Sequence, residues 1–253
     1  MSQPAKPART RQAFNRSIGW YLRQLSRVMR VLTDEELDRI VPLLSERRFQ
    51  QKQNLFVTGD PAERVYLLLQ GRVKIFQVAD NGKEVIVDIV GRGDVVGDMA
   101  IVENGERTAS AQAMEDTSAL SISWEDFSHL LQQSPRLGFV MVELMARRLH
   151  GMQKTFANLV AKPVSARLAD TLIARMDDRF IRLGLTHQEL AQTIGTSRET
   201  VTALLSRFVA LGAIAQEPGG YRVIDADLLD DIASGEVQVS ARHPAGQPSV
   251  APS

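Results

Sequence analysis

"LTHQELAQTIGTSRETVTALLSRFVALGAI", residues 185–214, reads as two short helices around a tight turn. Thr186 and Glu189 stand at capping-box spacing, and so do Thr196 and Glu199. Between the two starts, Ile194-Gly195-Thr196 supplies a turn in which glycine can take positive φ. Two helices joined by a short glycine turn have the layout of a helix-turn-helix. Leu190, Ala191 and Ile194 face inward on the first helix; Val201, Leu204, Leu205 and Phe208 do so on the second. The outward face of the second helix is then Arg198, Glu199, Thr202, Ala203 and Ser206. Arg198 suits a bidentate bond to guanine, Glu199 can accept from cytosine N4, and Thr202 can reach a thymine methyl or a phosphate.

Downstream, "AIAQEPGGYRVID" gives two short β runs around Pro218-Gly219-Gly220. A hairpin directly after a helix-turn-helix is a wing, able to touch phosphates. Between Lys162 and Arg222 there are eight Lys/Arg against six Asp/Glu, so only a local patch can attract a polyanion. His187, Arg179, Arg182, Arg198 and Arg207 are its candidate members. From Ser234 the chain loses its apolar period and is rich in Pro, Ser and Ala, which predicts a disordered tail over 234–253.

Upstream, Ala161-Lys162-Pro163 marks a domain boundary. Residues 164–176 form an amphipathic helix with Val164, Leu168, Leu172 and Met176 on one face, and 177–183 read as a connector. Before the boundary, Pro135 sits at the first position of a long helix. Gly138, Val142, Met145, Leu149, Met152, Phe156 and Leu159 follow at alternating spacings of four and three, a heptad seam. A long seam between two unlike domains predicts pairing with a second copy of the chain over 135–160.

The texture of residues 49–123 is β. Val65–Leu69, Val73–Val78, Val85–Val90 and Leu120–Ile122 are β-rich runs, and "ADNGKE" at 79–84 is an Asn-Gly hairpin signal. Short strands punctuated by glycine predict an antiparallel barrel or sandwich. Thr33-Asp34-Glu35-Glu36 caps a short helix to about Leu44, and Trp124–Ser134 is again helical. Residues 1–30 hold seven Lys/Arg and no acid, a transit-peptide-like composition. Ile18, Leu22, Leu25, Val28, Met29 and Leu32 recur at helical spacing, however, which favours a basic arm followed by a packing helix.

Composition removes several classes of chemistry. The 253 residues balance 30 Lys+Arg against 30 Asp+Glu. With no cysteine there is no disulfide, thiolate zinc site, Cys-ligated iron–sulfur cluster or cysteine nucleophile, and the chain suits a reducing cytoplasm. His129, His150, His187 and His243 form no helical metal pair. Residues 49–123 contain no histidine, which excludes a metal oxygenase on the β domain. No stretch approaches the ~20 apolar residues of a membrane span. The chain reads as a non-enzyme with no required cofactor.

Taken in order, these segments resemble the Crp/Fnr family of bacterial transcription regulators. The resemblance covers roughly residues 33–224 and is carried by "GDPAERVYLLLQGRVKIF" (59–76), "GRGDVVGDMAIV" (91–102), "RTASAQA" (107–113), "ELMARRLHGMQ" (143–153) and "IGTSRETVTALL" (194–205). Together with the arm and tail read from composition, it gives an α+β chain in five parts. A basic arm and helix over 1–32 precede a cyclic-nucleotide-binding-type β-roll (jelly-roll) over 33–134. A dimerisation helix over 135–160, a winged helix-turn-helix over 161–233 and the tail follow. It also implies cyclic AMP as the effector. Arg107 would pair the cyclic phosphate, Thr108 and the backbone at Met99 and Ala100 would add donors, and Gly97-Asp98 would bring a carboxylate to the ribose. Asp98 is one methylene shorter than the family's glutamate. Met152-Gln153 stand where the family offers Thr-Ser to the purine; Gln153 can bond an adenine edge and Met152 can pack. The alternative is the same regulator with another ligand or none.

On DNA the resemblance implies contacts from Thr196, Ser197, Arg198, Glu199, Thr202 and Arg207 to a near-palindromic duplex, with RNA polymerase as a further partner. Arg198 and Glu199 match two of the family's three base-reading residues, and Ala203 replaces the third, an arginine.

Overall fold

The computed structural model describes residues 18–101 and 105–241, so most of the basic arm and the end of the tail lie outside the described residues. The chain forms two compact units that meet in sequence between His150 and Gly151.

The first unit is built on two four-stranded antiparallel sheets. β1 (Ser45–Phe49), β3 (Arg64–Gln70), β6 (Val95–Val96) and β8 (Thr117–Ser123) form one, in the order β1-β8-β3-β6. β2 (Asn54–Phe56), β4 (Val73–Val78), β5 (Glu84–Val90) and β7 (Ser110–Ala113) form the other, in the order β2-β7-β4-β5. β3 explains why its sequence is an unbroken apolar run. Alternate residues point to opposite faces of a strand. Tyr66 and Leu68 enter the core between the sheets with Leu55, Val73, Val90 and Val96. Val65 and Leu67 enter a second core, beneath helices. Strands buried on both faces lose the alternation of a half-exposed strand.

The helices over that second core come from both ends of the unit. α1, helical over residues 18–25, and α2 (Arg27–Arg30) bring Leu22, Val28 and Met29. α3 (Asp34–Ile40) starts at a formed capping box of Thr33 and Glu36 and adds Leu37 and Ile40. α4 (Trp124–Gln133) adds Phe127, and α5 (Pro135–Ala161) adds Leu137 and Met141. The apolar period read in residues 18–32 is therefore a packing face. Asn81-Gly82 turns β4 into β5, with Gly82 at φ 75°.

The sequence left β1, β2, β6 and β7 unread, because they are short or charged. β1 is "SERRF", an edge strand with exposed charges, as edge strands tend to be.

The second unit packs α6 (Val164–Ile173), α7 (His187–Ile194), α8 (Arg198–Ala210) and α9 (Ala226–Ser234) with a sheet of order β11-β12-β10-β9. Its strands are β9 (Met176–Asp177), β10 (Phe180–Arg182), β11 (Ile214–Glu217) and β12 (Gly220–Val223). Two expectations change here. The helix expected over 164–176 ends at Ile173, and Met176 lies exposed in β9. The expected connector is a hairpin whose turn residues Asp178 and Arg179 take φ of 45° and 59°. A tight hairpin needs positive φ at its centre, and without glycine there the sequence carried no turn signal.

Candidate functional sites

The β-roll centres on Arg107. It is 6% exposed, and its guanidinium carbon lies 4.0 Å from the centre of the Phe56 ring, which stacks on Tyr66. Nη1 donates to the Gly97 carbonyl at 2.9 Å, and Nη2 donates to the Arg64 carbonyl. Nε is buried with no hydrogen-bond partner among the described residues. Among the described residues no carboxylate pairs with this cation. Burial lowers the Arg107 pKa from the ordinary arginine value, while Tyr66, Asp60 and Asp98 pull it back up. Gly97 makes the cradle possible. Its φ is 86°, and a Cβ there would meet Nη1 at 2.6 Å. A buried cation held by carbonyls and a ring, with an unused donor, is suited to an anion.

Asp98 is also buried, at 1% exposure, but it faces elsewhere. Both its oxygens accept from Nη1 of Arg148 on α5, at 2.9 and 2.8 Å. Arg148 Nη2 donates to the Val95 carbonyl at 2.7 Å. Asp98 and Arg107 thus sit on either side of Gly97 without pairing. Asp98 opens a 3-10 turn, Asp98–Ile101, which also holds Met99, whose side chain is exposed, and Ala100. Thr108 is half-buried, and its carbonyl accepts from Gln77. Asp88 joins the same cluster. Burial raises its pKa from the ordinary aspartate value, Arg148 opposes this, and Asp94 and Asp98 add to it. Arg148 escaped the sequence reading because it looks like one of two adjacent surface arginines.

The seam on α5 divides. Met145 packs against its own unit's core, because Leu137, Met141 and Leu144 turn the first half of the helix inward. Val142 (67%), Leu149 and Phe156 (70%), seven residues apart, are exposed with Met152 and Leu159. Gln153 is exposed too, and both it and Met152 belong to the second unit.

In the second unit, Thr186 and Glu189 form their capping box, and α7 ends at Gly195 with φ 68°. A Cβ on Gly195 would meet Leu159 at 2.9 Å. The second expected capping box does not form. Ser197, not Thr196, caps α8 by accepting from the Thr200 N–H, which puts Glu199 one position too early to reach back. Val201, Leu204, Leu205 and Phe208 are buried, while Arg198, Glu199, Thr202 and Ser206 are exposed and Ala203 and Arg207 half-buried. Its own backbone N–H, then Ser197 and Arg198, hold Glu199 below the usual carboxylate range. An ionised carboxylate is an acceptor only. On the wing, Arg222 is paired with Glu217 at 2.6 Å. Arg167 also lacked a sequence signal. Its guanidinium donates to the carbonyls of Leu159, Lys162 and Ile194, tying the end of α5 to the end of α7.

Each unit contains a match to a known domain. Residues 46–134 match the family model of the cyclic nucleotide-binding domain, and residues 166–232 match the Crp-like helix-turn-helix domain. The cyclic AMP receptor protein of Thermus thermophilus is 33% identical over 210 residues, 81% of this chain and 95% of that protein. A CRP-like cAMP-activated global transcriptional regulator of Mycobacterium tuberculosis is 30% identical over 190 residues, 72% of this chain and 84% of its own. Among solved structures, the c-di-GMP responsive global regulator CLP of Xanthomonas campestris shares the fold. Its TM-score is 0.68 at 23% identity, over 77% of this chain and all of that one. No helix among the described residues is long and apolar enough to cross a membrane.

Proposed function

Because the chain belongs to the Crp/Fnr family of DNA-binding transcription regulators and carries a cyclic nucleotide-binding domain, we propose that it works in the cytoplasm as a homodimer tuned by cyclic AMP. The observation that carries the ligand is Arg107. Among the described residues this buried guanidinium has no carboxylate partner, and a cyclic phosphate would supply the missing anion. Thr108 and the backbone of the Met99–Ala100 turn stand in the same segment to add donors. A carboxylate offers about four acceptor sites, so Asp98 keeps capacity for a ribose hydroxyl while it holds Arg148. A ligand on Asp98 would then act on α5 through one ion pair. Couplings of this kind are typically about 1–3 kcal/mol.

The exposed row Val142, Leu149 and Phe156 supports pairing of two α5 helices, since an apolar heptad face of this length is left uncovered in one chain. Met152 and Gln153 on that helix are assigned to the purine. A dimer presents two α8 helices about 34 Å apart, which calls for a near-palindromic site. Thr196, Ser197 and Arg207 are assigned to phosphates, and Arg198, Glu199 and Thr202 to base edges. RNA polymerase is the partner such a regulator acts on at a promoter.

Isothermal calorimetry with cyclic AMP tests the ligand. The wild type should release or absorb heat with one site per chain. A wild type silent at millimolar nucleotide overturns cyclic AMP as the effector. Sedimentation of Phe156→Arg tests the dimer, with a shift toward monomer expected.

A further inference from the structure

Thr202 is exposed on the outer face of α8, one turn beyond Arg198. Its hydroxyl is used twice inside the protein. It donates to the Arg198 carbonyl at 3.0 Å, and it meets Nδ1 of His187, the first residue of α7, at 2.9 Å. A hydroxyl has one hydrogen. When that hydrogen goes to the Arg198 carbonyl, the imidazole is the donor in the second contact, from Nδ1. Two bonds from two different helices therefore hold Oγ1 back toward the protein. At a tetrahedral Cβ the γ-methyl then takes a separate staggered direction, on an exposed face. Ala203, half-buried beside it, adds a second methyl rather than a polar group.

We propose that α8 reads the C5-methyl of a thymine through the γ-methyl of Thr202, with His187 as the positioning residue that turns the hydroxyl away from the base. Apolar contact of a threonine methyl with the thymine methyl is an established mode of major-groove readout. The inference rests on α8 being the base-reading helix, as proposed above.

The experiment starts from random-sequence DNA selection with the wild-type protein. Each thymine of the selected half-site is then replaced in turn by deoxyuridine, which removes only the methyl group. One thymine per half-site should respond, with affinity falling about four-fold per half-site, the value of one buried methyl-sized group. In both half-sites together the loss should approach about fifteen-fold. Thr202→Ser should abolish the thymine-over-uracil ratio, and Thr202→Val should keep it. His187→Ala should reduce the ratio, and His187→Asn, whose amide can donate where Nδ1 does, should restore it. If a site is selected and no uracil substitution is felt, methyl reading is wrong while DNA reading by α8 stands. If Thr202→Ser keeps the ratio, the methyl belongs to another residue. If His187→Ala leaves the ratio unchanged, the positioning role falls. If no sequence is enriched at all, base reading by α8 fails and this inference with it.

Discussion

Arg107 and Arg198 are both arginines assigned to nucleotides, yet the protein treats them in opposite ways. Arg107 is buried, fixed by two carbonyls and a phenyl ring, and its cradle exists only because residue 97 is glycine. Arg198 stands exposed at the start of a helix, with water on its outer side. A buried cation is intolerant of change, because its desolvation is offset only by a specific geometry. An exposed one can be altered with little effect on the fold, so it is available for tuning which DNA is read. The sensor is thus a rigid centre and the reader a replaceable surface.

The largest test of this contrast is Arg107→Ala. It should lower ligand affinity by at least 100-fold in calorimetry, since losing one partner of a buried charge pair costs about 3–5 kcal/mol. A loss below ten-fold would mean that Arg107 is not the anion's main partner. Next comes Asp98→Asn, which leaves Arg148 without its carboxylate. Arg148 is 22% exposed and can partly rehydrate, so the expected cost in urea unfolding is about 2–3 kcal/mol, below the range for fully buried pairs. An unchanged midpoint would place the pair among surface bridges. Arg198→Ala should leave unfolding unchanged and relax discrimination at one base pair per half-site by about 1–3 kcal/mol, read by selection. Loss of stability there would erase the contrast.

The smallest effect is expected at Asp88. Burial raises its folded pKa above the unfolded value, so the ionised form is disfavoured in the folded protein and stability falls as pH rises through that interval. Asp88→Asn should therefore give a small rise in Tm at neutral pH. The gain should vanish below the ordinary aspartate range, where the wild-type carboxyl is also neutral. A gain that persists in acid would point to packing rather than charge.

Legibility followed the same division. The helix-turn-helix, the capping boxes at Thr33 and Thr186, the Asn-Gly hairpin and the long helix all rest on interactions within a few residues, and local spacing reveals these. The second capping box slipped by one residue because Thr196 and Ser197 are both good caps, and only the turn geometry chose between them. The β9–β10 hairpin went unread for want of a glycine.

By itself, then, the sequence determined the order of parts, the inward and outward faces of α8, and Arg107 as the cation to which an anion is assigned. Tertiary structure decided which partner each charge takes. Asp98 pairs with an arginine fifty residues away rather than one nine residues away, Met145 joins its own core rather than the seam, and His187 captures the Thr202 hydroxyl. Such contacts join distant segments through short-range forces. A hydrogen bond or a packed methyl is settled over a few ångströms, and no pattern along the chain records which distant atoms arrive within that reach.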